Sequence, residues 1–198
     1  MMRLLFVIMI GIICHPIHAQ EVSPPPLPNF PIILSFHFSG VAMPFKDLKS
    51  LFSNIGVGIG TSRNWGNQSR FFQTIELRWW HNKAMGNRWL LDTELHWNPK
   101  LRNTIHGDLH LGVGYLWAKR PVKSYQPMNG TWVERRKKGK GMVAVPMGLG
   151  LRRLNASPAA FRAWGINYTI VWGLNFNPSI PILPEHLLVF DSTIDLRD

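Results

Sequence analysis

Large apolar residues alternate with small or polar ones through Trp164-Gly165-Ile166-Asn167-Tyr168-Thr169-Ile170-Val171-Trp172-Gly173-Leu174. In a β-strand this period of two gives one aromatic and aliphatic face and one face of glycine, asparagine and threonine. A soluble sheet turns the large face toward a core. A transmembrane barrel turns it toward lipid and keeps the small and polar face in its lumen. The rest of the sequence has to separate these two interpretations.

The same alternation recurs along the sequence and predicts eight strands. They are Pro31–Ser39, Ile55–Thr61, Phe71–Trp80, Trp89–Trp97, Gly107–Trp117, Met142–Arg152, Ala163–Asn175 and Leu187–Arg197. Bacterial single-chain barrels have an even number of strands, each long enough to cross the hydrocarbon when tilted. We therefore predict an all-β fold, an eight-stranded antiparallel up-and-down transmembrane β-barrel.

The N-terminal residues have the features of an export signal. Arg3 is followed by an apolar run, Leu4–Cys14, that is too short to span a bilayer as a helix, and Ala19 suits the position before a cleavage site. Cleavage there removes the only cysteine, Cys14, and leaves a chain without thiol chemistry. We predict a signal peptide over residues 1–19, a proline-rich periplasmic segment over residues 20–29 and the barrel over residues 30–198.

Connection lengths predict how the barrel sits in the membrane, because short periplasmic turns alternate with longer outer loops in such proteins. The connections Ser62–Arg70, Asn98–His106 and Arg153–Arg162 are short, whereas Ala118–Gly141 is the longest between predicted strands. With a periplasmic N-terminus, this longest connection lies outside the cell. The alternation is imperfect, since the outer connection His81–Arg88 is no longer than the turns.

The formal net charge of +11 is concentrated in the longest connection. Five basic residues lie there within six positions: Arg135, Arg136, Lys137, Lys138 and Lys140. A solvated loop is one interpretation of this run, and contact with the anionic headgroups of lipopolysaccharide is the other. Nucleic acid is not expected as a partner, because the export signal removes the protein from the cytoplasm.

With the large faces turned to lipid, the other face of each strand carries acidic and basic residues. This inward set comprises His37, Glu76, Arg78, Asp92, Glu94, His96, Asp108, His110, Arg152, Asp191, Asp195 and Arg197. Acids and bases on adjacent strands can pair across the lumen. Eight strands leave a lumen just wide enough for side chains to fill it. We therefore expect a packed polar interior and no pore.

Tryptophans near the ends of the predicted strands favour the membrane interpretation, because aromatic girdles flank a lipid-facing band. They are Trp79, Trp80, Trp89, Trp97, Trp117, Trp164 and Trp172. A secreted soluble β-sandwich or a lipocalin-like carrier is the alternative, and it would place the apolar faces inside and the charged faces in water.

Several short motifs carry a resemblance to known proteins: Pro44-Phe45, Gly58-Ile59-Gly60-Thr61, Gly112-Val113-Gly114-Tyr115 and Gly139-Lys140-Gly141-Met142. On these motifs and on the alternating pattern of the predicted strands from Phe30 onward, the sequence resembles the small OmpA/OmpX-like eight-stranded barrels, especially those of Bacteroidota. The resemblance implies the outer membrane of a Gram-negative bacterium, insertion by the barrel-assembly machinery, and no catalytic residues. The sequence departs from the family at its end, Asp195-Leu196-Arg197-Asp198, where such barrels usually finish on an aromatic residue.

We therefore expect a non-enzymatic, monomeric outer-membrane protein with a structural or surface-interaction role and no cofactor. A lipid A-modifying barrel enzyme is the alternative. His37 and Ser39 share a strand face, which would allow the histidine to act as base for the serine, with Glu94 or Asp108 orienting the ring.

A metal cluster is a further interpretation of the inward residues, with His96, His110, Asp92 and Asp108 as its ligands. The sequence has no tight ligand spacing of the kind that marks most metal sites. Interior histidines hydrogen-bonded to carboxylates account for the same residues, and no metal is expected.

Overall fold

The computed structural model describes residues 31–40, 52–65, 70–83, 85–121, 125–134, 139–154 and 161–194. Several sequence predictions lie outside the described residues. They concern the signal peptide, the proline-rich segment, Pro44-Phe45, the basic residues Arg135, Arg136, Lys137 and Lys138, and the C-terminal residues Asp195 and Arg197. Within the described part of the chain, no helix is both long and apolar enough to cross a membrane.

Eight strands form a closed antiparallel barrel, which confirms the predicted fold class. The barrel strands are β1 (Ile32–Gly40), β2 (Ile55–Trp65), β3 (Phe71–Asn82), β4 (Gly86–Trp97), β5 (Ile105–Lys119), β8 (Gly139–Leu154), β9 (Phe161–Leu174) and β10 (Ile182–Ile194). Each of them pairs with its neighbours in chain order, and β1 closes the barrel against β10. The remaining strands, β6 (Tyr125–Met128) and β7 (Thr131–Glu134), form a separate hairpin between β5 and β8.

The hairpin lies in the connection that the sequence analysis predicted as a loop. Its turn is Asn129-Gly130, with φ angles of 51° and 77°. These are the left-handed values that a two-residue hairpin turn requires, and Asn-Gly adopts them readily. Lys140 was also placed in that loop, which was wrong. It belongs to β8, because the β5–β8 ladder continues through the pair Ala118 and Lys140.

β10 begins at Ile182, earlier than the predicted Leu187. Pro184 and Glu185 hid this beginning, because proline and charged residues are uncommon within strands. In the structure Glu185 points into the barrel and is buried, so a charge follows Leu183 on the inward face of β10. Asp191, further along the same strand, is half-buried and lines the interior as predicted.

The large residues of the alternating pattern lie on the outside of the barrel, as predicted. Leu111 and Leu149, for example, expose 55% and 60% of their surfaces. A closed barrel with this exterior contradicts the β-sandwich alternative. It also contradicts a lipocalin-like carrier, which needs a polar exterior in water.

Aromatic residues lie on the exterior at both ends of the barrel. Trp79, Trp89 and Trp117 are register neighbours on β3, β4 and β5 at one end. Trp65, Phe71 and Trp97 are register neighbours on β2, β3 and β4 at the other end. These are the positions that girdles occupy in transmembrane barrels. Trp80 was wrongly assigned to a girdle, because it points inward and is fully buried.

The interior of the barrel has two layers. The end where β1 begins is called the turn end here, and the opposite end, where β5 leads into the hairpin, is called the hairpin end. An apolar layer lies toward the hairpin end and consists of Trp80, Leu90, Leu116, Ala118, Met142, Ala144, Val171, Leu187 and Val189. Charged and polar side chains fill the part toward the turn end, which we call the polar layer. The sequence analysis expected polar residues throughout and did not anticipate the apolar layer.

Candidate functional site

The polar layer is the largest cluster of chemically versatile side chains among the described residues. It contains Glu76, Arg78, Asp92, Glu94, His96, Asp108, His110, Arg152 and Asp191. Alternation along β3, β4 and β5 places successive charged residues on the same inward face of each strand. Glycines on neighbouring strands leave the required space. At Gly148, a Cβ atom would lie only 2.5 Å from Nε2 of His110.

Arg78 lies at the centre of the acidic residues. Its Nη2 atom is 3.0 Å from Oε2 of Glu76 and 3.0 Å from Oε2 of Glu94, and its Nη1 atom is 3.4 Å from Oδ2 of Asp92. All four side chains are almost completely buried. One guanidinium therefore compensates three carboxylates in a region from which water is largely excluded, where unpaired charges are costly.

The three carboxylates are not equally well paired. Both carboxylate oxygens of Asp92 are buried without a hydrogen-bond partner in the described structure. Glu76 accepts hydrogen bonds from the Ser35 hydroxyl and from Arg78. Buried oxygens normally have such partners. Asp92 is consequently the least well compensated of the acids around Arg78.

Two histidines flank Asp108 next to this cluster. Oδ1 of Asp108 lies 2.9 Å from Nδ1 of His96 and 3.6 Å from Nδ1 of His110. The centroids of the two imidazole rings are 5.0 Å apart. The structure thus brings together three of the four residues that the sequence suggested as metal ligands. The fourth, Asp92, faces Arg78 instead.

Each of these histidines uses its other ring nitrogen for a separate contact. Nε2 of His110 lies 3.0 Å from the hydroxyl of Thr169. Nε2 of His96 lies 3.2 Å from the hydroxyl of Thr74 and 3.4 Å from Oε2 of Glu94. These contacts fix the two rings so that both Nδ1 atoms point toward Asp108.

A cavity of about 20 Å³ lies within the polar layer. Its lining includes Glu76, Glu94, His96, Asp108 and His110. A cavity of this size, surrounded by polar groups, has room for about one water molecule. This cavity therefore has no space for a lipid or another organic substrate.

The predicted catalytic alternative, His37 and Ser39, lies on the inward face of β1, and both residues are buried. Nε2 of His37 is 3.1 Å from the hydroxyl of Ser35, whereas the Ser39 hydroxyl has no hydrogen-bond partner in the described structure. The predicted orienting acids are engaged elsewhere, since Glu94 contacts Arg78 and Asp108 contacts the two other histidines. His37 and Ser39 therefore lack the hydrogen bond to each other through which a histidine activates a serine nucleophile.

An ion pair that the sequence analysis missed lies at the hairpin end of the interior. Arg88 donates from Nε to Oε1 of Glu185 at 2.8 Å, and Trp80 donates from Nε1 to Oε2 of the same carboxylate at 3.0 Å. All three side chains are buried. The alternation of Glu185 with apolar residues in β10 was the available signal, but the predicted strand began after it.

Of the five basic residues proposed to bind anionic headgroups, the structure describes Lys140. Its ammonium group donates to the backbone carbonyls of Asn175 and Phe176, the second at 2.6 Å. Both carbonyls belong to the connection between β9 and β10, at the hairpin end. Lys140 therefore links the beginning of β8 to the connection between β9 and β10, while the other four lie outside the described residues.

No protein-family model matches the sequence, and no curated protein is similar to it in sequence. Among solved structures, the crystal structure of Neisserial surface protein A (NspA) is similar, with a TM-score of 0.55 and 7% identity, covering 85% of this chain and 97% of that chain. The N-terminal β-barrel domain of Pseudomonas aeruginosa OprF gives a TM-score of 0.45 and 11% identity, covering 84% and 97%. The Yersinia pestis outer membrane protein Ail gives 0.41 and 10%, covering 83% and 99%. The likeness to NspA shows that this chain shares the fold of that surface protein.

Proposed function

We propose that this protein is a non-enzymatic barrel of a Gram-negative outer membrane, with a structural or surface-interaction role at the cell surface. The observation that carries the proposal is the distribution of polarity in the closed barrel. The exterior is apolar between two sets of aromatic residues, and the interior is filled by side chains. Such a surface is stable in lipid and aggregates in water.

The filled interior supports a role that does not involve transport or catalysis. The cavity in the polar layer accommodates about one water molecule, and buried side chains fill the described interior around it. The only serine–histidine candidates of the sequence analysis, His37 and Ser39, are buried and are not hydrogen-bonded to each other. The interaction surface is therefore expected on the connections at the hairpin end.

The hairpin end has the composition of a contact surface. Trp132 on β7 is 73% exposed, and Tyr125 and Met128 on β6 are also largely exposed. The basic run Arg135–Lys138 directly follows β7. With a periplasmic N-terminus, this end faces the medium, and the run lies near the phosphates and carboxylates of lipopolysaccharide. Each basic residue close to such a surface contributes about 1 kcal/mol of attraction.

Membrane fractionation of cells that express the full chain tests the location. We expect the protein in the outer-membrane fraction, extracted only by detergent, and migrating faster on a gel before boiling than after it. Recovery in the soluble fraction without detergent would contradict the proposal.

A matched pair of substitutions tests which surface contacts lipid. Leu111 near the middle of β5 and Met128 in the hairpin are equally exposed, at 55% each. Leu111→Arg should destabilise the barrel in a bilayer by about 2–4 kcal/mol, the cost of a charge near the midplane. Met128→Arg should leave stability unchanged, because the hairpin lies beyond the barrel. Equal effects, measured by urea unfolding in lipid vesicles, would show that the exterior does not face lipid.

The basic run is tested by replacing Arg135, Arg136, Lys137 and Lys138 with serine, with Lys140→Ser as the control. The fourfold variant should fold normally and lose binding to vesicles that contain lipopolysaccharide. Wild-type binding should weaken as salt rises, because exposed charges are screened. Lys140→Ser should bind nearly as well as wild type, since its ammonium group already contacts backbone carbonyls. Unchanged binding by the fourfold variant would contradict this role.

A further inference from the structure

We propose that His96, Asp108 and His110 form a binding site for a first-row divalent metal ion, Zn²⁺ in the first instance, inside the barrel. The three residues are buried, and each offers a ligand atom within 4.8 Å of the others. They lie on two paired strands, His96 on β4 and the other two on β5. The site is separate from the surface on which the proposed function rests.

The distances fit a small tetrahedral ion. Ligand atoms bound at about 2.1 Å to a tetrahedral Zn²⁺ are about 3.4 Å apart. Oδ1 of Asp108 is 2.9 Å from Nδ1 of His96 and 3.6 Å from Nδ1 of His110, so the two spacings bracket that value. Imidazole and carboxylate together form a ligand set that Zn²⁺ and its first-row neighbours accept. The third spacing, between the two histidines, lies within 4.8 Å, and movement of the imidazole rings brings it to the same value.

Two atoms at this position have no hydrogen-bond partner in the described structure. They are Nδ1 of His110 and Oδ2 of Asp108, and both are buried. Buried polar atoms of this kind normally have a hydrogen-bond partner, an ordered water or an ion. The adjoining cavity of about 20 Å³ has room for one water-sized group, such as a fourth ligand.

The outer contacts of both histidines match those of metal-bound imidazoles. A ligating histidine usually gives its second ring N–H to a carboxylate or another acceptor, which fixes the ring and leaves the first nitrogen unprotonated. Nε2 of His96 is 3.4 Å from Oε2 of Glu94, which can only accept when it is ionised. Nε2 of His110 is 3.0 Å from the Thr169 hydroxyl. Both unprotonated Nδ1 atoms would then face the Asp108 carboxylate, and a cation between them removes the repulsion.

The total charge of the polar layer favours a cation as well. In the polar layer, five carboxylates face two guanidinium groups: Glu76, Asp92, Glu94, Asp108 and Asp191 against Arg78 and Arg152. Arg78 contacts three of these acids, and Arg152 donates to Thr193 and lies over the ring of Phe72. Asp108 therefore has no guanidinium partner among the described residues, and a divalent cation would compensate it directly.

Metal analysis of the full chain, extracted from membranes in detergent, tests the site. The protein is unfolded and stripped of metal with a chelator. It is then refolded with Zn²⁺ or Co²⁺ and dialysed. We expect one equivalent of retained metal, and a Co²⁺ visible spectrum typical of nitrogen and oxygen ligands. Wild-type protein that retains no metal would overturn the proposal, and would mean that protons occupy the space between the histidines and Asp108.

Substitutions locate the metal. Asp108→Asn and His110→Gln should abolish retention, and Thr169→Val should weaken binding about 10-fold, because it removes only an outer contact. His37→Gln is the matched control, since His37 is also buried in the interior but lies outside the cluster. Heat-modifiability shows which variants fold. If one of the ligand variants does not fold, metal retention by the other variant and the Co²⁺ spectrum of the wild type test the assignment. Equal metal retention by the ligand variants and wild type, or equal loss in His37→Gln, would overturn the assignment.

Discussion

The two layers of the barrel interior are built on the same strands but are stabilised in different ways. In the apolar layer, Leu90, Leu116 and Val171 fill the space with hydrocarbon, which needs volume and no specific partner. In the polar layer, every buried charge costs free energy unless an opposite charge or a hydrogen bond compensates it. The stability of the apolar layer therefore depends on how well its side chains fill the space. The stability of the polar layer depends on how well its charges compensate one another.

The largest expected effect follows from removing the shared cation of the polar layer. Arg78→Met leaves Glu76, Asp92 and Glu94 without their common partner, and should destabilise the barrel by about 3–5 kcal/mol. Urea unfolding in lipid vesicles measures the loss.

Arg88→Met is the matched control for Arg78→Met, because Arg88 has a single carboxylate partner, Glu185. Its loss should be smaller. Adding Glu76→Gln and Glu94→Gln to Arg78→Met should recover part of the stability, since the uncompensated charges are then removed. A loss for Arg78→Met no greater than for the control would mean that charge balance does not determine the stability of the polar layer.

The apolar layer should respond to lost volume instead. Leu90→Ala removes buried methyl groups and leaves a cavity, and should cost about 2–5 kcal/mol. Leu90→Met, which nearly conserves volume, should cost less than about 1.5 kcal/mol. Neither loss should vary with salt concentration. Unfolding curves at low and high salt check this. A salt-dependent loss of stability in the Leu90 variants would contradict the distinction between the layers.

Glycine substitutions compare the two layers at the scale of one methyl group. Gly148→Ala would place its Cβ 2.3 Å from the backbone oxygen of Tyr168 and 2.5 Å from Nε2 of His110, a ring held by its contact with Thr169. We expect a loss of about 1–3 kcal/mol from this overpacking. Gly173→Ala meets the flexible Met142 side chain at 3.0 Å in the apolar layer, and should cost less. The reverse order of stabilities would show that the polar layer adapts more easily.

The smallest effect is expected at Asp92. Its two carboxylate oxygens have no hydrogen-bond partner in the described structure. Its cation, Arg78, lies 3.4 Å away and is shared with two other acids. Asp92→Asn removes a poorly compensated charge, and should change the unfolding free energy by about 1 kcal/mol or less. A loss as large as that of Arg78→Met would mean that all three acids are needed to hold the guanidinium.

The period of two was sufficient to predict the strands and the faces that point outward. It failed where both faces of a strand are apolar. Around Trp89-Leu90-Leu91, for instance, Leu90 is buried inside while its neighbours are exposed, and only the continuation of the period from Asp92 and Glu94 places it inside. The apolar layer was missed for this reason. Trp80 was assigned to a girdle because Trp79, beside it, does lie outside.

The residues of the polar layer were predicted, but their partners were not. Sequence spacing shows that Asp92, Asp108, His96 and His110 point inward. It does not show which of them approach one another, because this depends on the register between β4 and β5 and on contacts across the lumen. The register pairs His96 with His110, and this brings Asp108 between the two rings while Asp92 lies further along toward Arg78.

The closure of the barrel by β1 and β10 has a kinetic consequence. These two strands are the most distant barrel strands along the chain, and contacts of this kind form late because the intervening chain must first be ordered. Ser35 and Asp191 are register partners across this seam, and both belong to the interior. Until the seam forms, water, protons and ions from the surroundings reach the polar layer freely. Once it has formed, their exchange requires local opening, so the contents of the interior reflect the solution in which the barrel closed.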